Sequence, residues 1–155
     1  MKNFYTKGIS IVETVIVLAV LAVIFSIIIP QFSLIRERQV LKSAVGDILS
    51  SINKAQTQTL ASVDSSSYGV YFESGAIVIF KGTGFFDEDA SNEVISIVAP
   101  ANISNVALGA GSPASGSIYF NRLSGSPSTT GTITISTPNY TKTITISATG
   151  GASTN

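Results

Sequence analysis

The sequence has no cysteine and no histidine. Without cysteine there is no disulfide in any compartment, no thiol chemistry and no cysteine-held zinc. Without histidine the commonest general base and the commonest metal ligand are both missing. A nucleophile would need a lysine or a carboxylate as its base, and the serines and threonines fall in strand-like and loop-like stretches. Charge is scarce too, at 12% of the 155 residues. No Walker or dinucleotide pattern occurs. Gly82-Thr83-Gly84 lies between a strand pattern and a loop with no helix after it, so it cradles no phosphate. These absences argue against an enzyme and call for no cofactor.

What the chain does have is one long apolar run, residues 8–30, GISIVETVIVLAVLAVIFSIIIP. From Thr14 to Ile29 no residue is charged. At about 1.5 Å per helical residue this stretch gives roughly 24 Å; extended back to Ile9 it gives roughly 31 Å, enough for a hydrocarbon core of about 30 Å. The extension takes in Glu13, and no basic residue lies between positions 8 and 35. An ionised side chain inside a bilayer costs a few kcal/mol near the centre and less near the end. A lone carboxylate here is therefore a functional-site candidate whose partner must come from elsewhere.

The flanks carry Lys2 and Lys7 on one side and Arg36, Arg38 and Lys42 on the other, so the positive-inside count does not set the orientation. Pro30 removes one backbone hydrogen bond and is expected to kink or loosen the helix. Beyond it Leu34, Leu41, Ala44, Val45, Ile48, Leu49, Ile52 and Ala55 recur at steps of 3, 4 and 7, one face of an amphipathic helix over 31–62. Glu37, Lys42, Asp47 and Lys54 read as mostly off that stripe. Gly46 weakens a helix interior by about 1 kcal/mol, which suggests a close crossing there.

From Tyr68 the period changes to two. Residues 68–72 and 76–80 flank Glu73-Ser74-Gly75 and read as a hairpin. Residues 93–98 form a third strand. Residues 100–115 read as a long surface loop with a short strand around Val106-Ala107-Leu108. Residues 117–120 form another strand, and 121–130, NRLSGSPSTT, a turn-rich loop. Residues 132–136 and 141–147 alternate isoleucine with threonine or serine, the mark of an antiparallel sheet with one wet face. The tail from Gly150 is expected to fray. The order is one long helix and then six or seven strands, an α+β layer architecture with residues 63–155 as the β-rich domain.

Lys7-Gly8, then Ile9, then Glu13 as the fifth residue after the glycine, then the apolar helix and Pro30, resembles the class III signal of type IV pilins and type II secretion pseudopilins. The resemblance implies that residues 1–8 are a leader, that a prepilin peptidase cuts after Gly8, and that Ile9 becomes the methylated N-terminus. Ile9 departs from the phenylalanine or methionine commoner there. Glu13 would neutralise the N-terminal amine of a neighbouring subunit. The implied fold is the pilin fold, a long helix packed on an antiparallel sheet or sandwich. The implied partners are the peptidase, other subunits, an inner-membrane assembly platform and lipid, with the C-terminal domain outside the cytoplasm. GSIYFNRLSGSPSTTGTITIS followed by TKTITISATGG, with the hairpin YGVYFESGAIVIFKG, looks like the H-type minor pseudopilins and FimT-like minor pilins, which implies a priming or tip role. Many pilins close a C-terminal loop with a disulfide; this chain must hold that region by pairing and packing.

Other readings compete. A secretory signal would end in a small-x-small site, but the run is followed by Pro30-Gln31-Phe32-Ser33-Leu34-Ile35 with no such site and holds a glutamate inside it; a plain uncleaved signal anchor, an anchored protein with no assembly role, stays open beside it. A second class is an anchored adhesin or a DNA-uptake minor pilin. From Ala61 onward Lys81, Arg122 and Lys142 oppose Asp64, Glu73, Asp87, Glu88, Asp89 and Glu93, a net of −3. That is too few cations for a phosphate-tracking face, with Arg122 the residue to watch. Asp87, Asp89 and Glu93 are weak candidates for a calcium loop. The EF-hand pattern fails, with Asn92 where its glycine belongs and Val98 where its glutamate belongs.

Overall fold

Among the described residues the first helix, α1 (Ile11–Leu60), is followed by eight strands: β1 (Tyr68–Glu73), β2 (Ala76–Lys81), β3 (Glu93–Ser96), β4 (Asn102–Leu108), β5 (Gly116–Tyr119), β6 (Gly131–Ser136), β7 (Thr141–Ile146) and β8 (Ala152–Thr154). The computed structural model describes residues 8–109 and 115–155, apart from the side chains of Ile29 and Pro30. The chain divides into two compact units, residues 1–36 and 37–155, and α1 contributes to both.

The second unit holds the core. Two four-stranded antiparallel sheets, ordered β3-β2-β1-β5 and β4-β6-β7-β8, share it with the second half of α1. The predicted stripe supplies the helix side: Leu41, Ala44, Ile48, Ile52 and Ala55 are buried, and Val45 and Leu49 pack against them. The stripe also continues further than its apolar members. Thr59, one step of four beyond Ala55, is fully buried. Its Oγ1 donates to the Ala55 carbonyl at 2.8 Å and accepts from the Tyr68 amide at 2.8 Å, joining the last turn of α1 to the start of β1. Buried hydroxyls of this kind are tolerated because both bonds are made.

Both hairpins form where the period of two placed them. In β1–β2, Val70 faces Ile79 and Phe72 faces Ile77; in β6–β7, Ile133 faces Ile144 and Ile135 faces Lys142. Ile133, Ile135, Ile144 and Ile146 are buried while the threonines between them are half or fully exposed, the expected one-sided sheet.

Four expectations are corrected. Residues 102–108 are a full strand, with Ile103 and Val106 in the core. A register shift between Ile103 and Asn105 turns both inward at a spacing of three, and this bulge hides the alternation in the sequence. The third strand ends at Ser96, before Val98. The tail does not fray: β8 pairs with β7, Ala152 against Ile146 and Thr154 against Ile144. Gly46 is exposed, and among the described residues nothing outside its own stretch of helix lies within 4 Å of a Cβ built there, so no close crossing among them explains it.

One glycine is set by a close approach. A Cβ on Gly131 would strike the Ala107 carbonyl and the Leu108 Cα across the β4–β6 pair. Both obstacles are backbone and cannot swing aside. Gly131→Ala is expected to part the first pair of that ladder and to destabilise the unit by about 1–3 kcal/mol, the usual cost of overpacking; a thermal melt unchanged from the parent would refute the contact.

Candidate assembly site

The first unit presents an apolar surface and little else. Gly8, Ile9 and Ser10 precede the helix, and Ile9 is 78% exposed. The first turn closes when the Thr14 amide donates to the Ser10 carbonyl at 3.1 Å, with the Thr14 hydroxyl on the same oxygen. Glu13 lies in that first turn, where a carboxylate also suits the positive end of the helix dipole. Its side chain is exposed and has no hydrogen-bond or ion-pair partner among the described residues. From Ile11 to Ile28 every side chain is exposed. An 18-residue window of this helix has a mean hydropathy of 2.9 and none of it is buried, so by length and composition it suffices to cross a membrane. Such a surface is unstable in water and is completed by lipid or by other helices. Helix assignment runs through position 30; the Pro30 side chain, on which the expected kink turns, lies outside the described residues, as do residues 1–7 of the expected leader.

The acidic loop is tied into its own surroundings. Asp89 Oδ1 accepts from the Ser91 amide and hydroxyl, each at 2.8 Å. Those two donors hold the Asp89 carboxyl below the usual carboxylate range. Glu93 is clamped by the Lys54 ammonium from α1, and Asp87 is exposed. Among the described residues no group of three or more acidic side chains is placed to hold a metal ion. Nearby, Lys81 Nζ donates to Asp64 Oδ2 at 3.0 Å. The hydrogen bond and the charge of Lys81 lower the Asp64 carboxyl, and the same bond raises the Lys81 ammonium. Arg122 stands exposed in the loop after β5.

Sequence reasoning missed Glu37. Its carboxylate is 9% exposed and accepts from the Asn139 amide nitrogen at 3.2 Å and from Asn139 Nδ2 at 3.1 Å. This ties the start of the second unit's helix to the β6–β7 turn. The signal was the spacing: Glu37, Leu41, Ala44 and Ile48 follow steps of 4, 3 and 4, and only its charge set Glu37 apart from the stripe. It also missed Gln56, whose Nε2 donates to the carbonyls of Gly125 and Thr149 and so holds two distant loops to α1.

The geometry contains no catalytic constellation among the described residues, only an unpaired carboxylate in an apolar helix and a two-sheet domain on its second half. Residues 44–150 match the family described as type II transport protein GspH. The chain belongs to the GspH family. The match spans more than half of the chain and covers the helix stripe from Ala44 onward and seven of the eight described strands. No curated protein and no solved structure matches the chain. The GspH assignment makes the chain a pseudopilin subunit of type II secretion, a structural rather than an enzymatic family, and it bears out the H-type resemblance. The α+β arrangement of one long N-terminal helix and antiparallel sheets is the pilin-like one. Family membership also implies contact with other pilin-like subunits, and the exposed apolar helix of the GspH-like chain fits a single-pass inner-membrane protein.

Proposed function

We propose that this pseudopilin is cleaved after Gly8, methylated at Ile9 and assembled into the type II secretion pseudopilus through Glu13, in a priming or tip position. The single observation that carries the reading is the unpaired Glu13 carboxylate at the start of a fully exposed apolar helix. In lipid there is little hydrophobic drive between helices, so packing and polar pairing supply specificity. A free amine at Ile9 on a neighbouring subunit is the partner of matching charge, and pairing removes two uncompensated charges from the bilayer together. Prepilin peptidase generates that amine, and the inner-membrane platform receives the processed subunit. The globular unit stands outside the cytoplasm. Pro30 loosens the helix so that subunits pack around a bend.

Intact-mass and N-terminal mass spectrometry, with and without the peptidase, tests this reading. A chain starting at Ile9 with one extra methyl group is the expected product. A Met1 start in the presence of active peptidase refutes the cleavage site and with it the role of Glu13.

A further inference from the structure

The globular unit carries an apolar groove with a basic rim. Leu41, Val45 and Tyr140 form its walls, and Arg38, Lys42 and Lys142 surround it; the cavity measures about 380 Å³. Arg38 Cζ lies 4.8 Å above the Tyr140 ring, which holds one cation over an aromatic face. Beyond position 36 there are six lysines and arginines; Lys54 and Lys81 are ion-paired within the chain, and three of the other four line this groove. Among the described residues no acidic side chain forms an ion pair with those three. An occupant must bring an apolar group and negative charge together.

The same unit builds such a group at its other end. In the loop between β2 and β3, Phe86 is 71% exposed and is followed directly by Asp87, Glu88 and Asp89. The loop is pre-shaped. The Phe85 ring stacks on Tyr71 at 4.0 Å, and Asn92 Nδ2 donates to the Phe86 carbonyl at 2.7 Å. A knob fixed before contact loses little entropy on docking. The loop leaves β2 at Lys81, which is bonded to Asp64 just past the end of α1, whereas the groove begins at Arg38. From Val45 to Leu60 the helix rises about 22 Å. The knob therefore lies toward the end of α1 remote from its own groove.

We propose that the Phe86 loop of one copy docks in the Arg38–Tyr140 groove of a second copy of this chain, head to tail. The cavity lies at the small end of the roughly 300–1,000 Å³ of ligand sites, enough for one aromatic side chain and its flanking backbone. The carboxylates of Asp87 and Glu88 meet the ammonium groups of Lys42 and Lys142 at the rim, which sets orientation and partner choice. The knob and the groove are different surfaces, so the contact is heterologous and repeats from copy to copy instead of closing into a two-fold dimer.

The absence of native cysteine makes the test direct. Ala90→Cys beside the knob and Thr154→Cys beside the groove are introduced together into the full chain. The protein is held in neutral detergent, treated with a short bismaleimide and run on a denaturing gel. A ladder of dimers and higher multiples is expected. Asp87→Lys with Glu88→Lys reduces it at least tenfold, and adding Lys42→Glu with Lys142→Glu to that protein restores it. Phe86→Ala reduces it as well, while the melting curves of all variants stay within a few degrees of the parent. No ladder, or a ladder equal in the singly reversed protein, overturns the proposal. Uptake of phosphatidylglycerol that depends on Lys42 and Lys142, without a ladder, assigns the groove to lipid and overturns it too. Neither cleavage nor the secretion machinery is needed, so the result is independent of the role given to Glu13.

Discussion

Glu13→Ala and Glu13→Val are expected to insert and to be cleaved normally, and to enter pseudopilus complexes about ten- to a hundredfold less. Insertion survives because each change removes a charge from an apolar helix that has no other between Thr14 and Ile29. Cleavage survives because Gly8 and Ile9 lie outside the helix, which begins at Ile11. Incorporation falls because the neighbour's amine loses its counter-charge. An uncompensated charge near the end of a membrane span costs about 1.4–2.8 kcal/mol, and each 1.4 kcal/mol is tenfold. Glu13→Gln keeps a hydrogen-bonding group without the charge and should fall between parent and alanine. The measurement is the fraction of protein recovered with a tagged neighbouring pseudopilin after membrane solubilisation. Recovery of Glu13→Ala at the parental level would sink the salt-bridge role.

Ile52→Ala is expected to lower the stability of the globular unit by about 2–5 kcal/mol. Ile52 is fully buried on α1, among core side chains drawn from both sheets. Its removal costs the transfer energy of the lost methyl groups and leaves a cavity that two sheets and a helix cannot collapse together. Against a typical total of about 5–15 kcal/mol this is a large share, and the melting temperature should fall by about 10 °C or more. Leu123→Ala is the matched control. Leu123 is 92% exposed, and its loss should change stability by less than about 0.5 kcal/mol. Equal melts for the two variants would show that the second half of α1 is not packed as described.

The parts legible in the sequence share a physical property: each is encoded by neighbours along the chain. The stripe from Leu41 to Ala55 is a local helical period, and the two hairpins are local alternations closed by short turns. The register with Val70 opposite Ile79 and Ile133 opposite Ile144 follows from those turns. β4 escaped because its bulge breaks the alternation that would have announced it. β8 escaped because three residues carry no period at all; it exists through its pairing with β7. Glu37 escaped because a charge on a helix is expected to face water, and its bonds from Asn139, 102 residues away, are what make its burial tolerable.

The candidate site divides in the same way. Gly8, Ile9 and Glu13 are candidates through a resemblance carried on one continuous segment, and the membrane-length apolar run beside them is legible from composition alone. The groove is not. Arg38 and Lys42 come from α1, and Tyr140 and Lys142 from the β6–β7 hairpin about a hundred residues later. No local pattern joins them, because their proximity is a product of packing the helix on the second sheet. The sequence by itself determined that the chain holds an apolar run of membrane length with one carboxylate in it, and that a helix-and-strand domain follows. The tertiary structure alone decided which distant charges share a surface, because that depends on long-range burial and not on the order of residues.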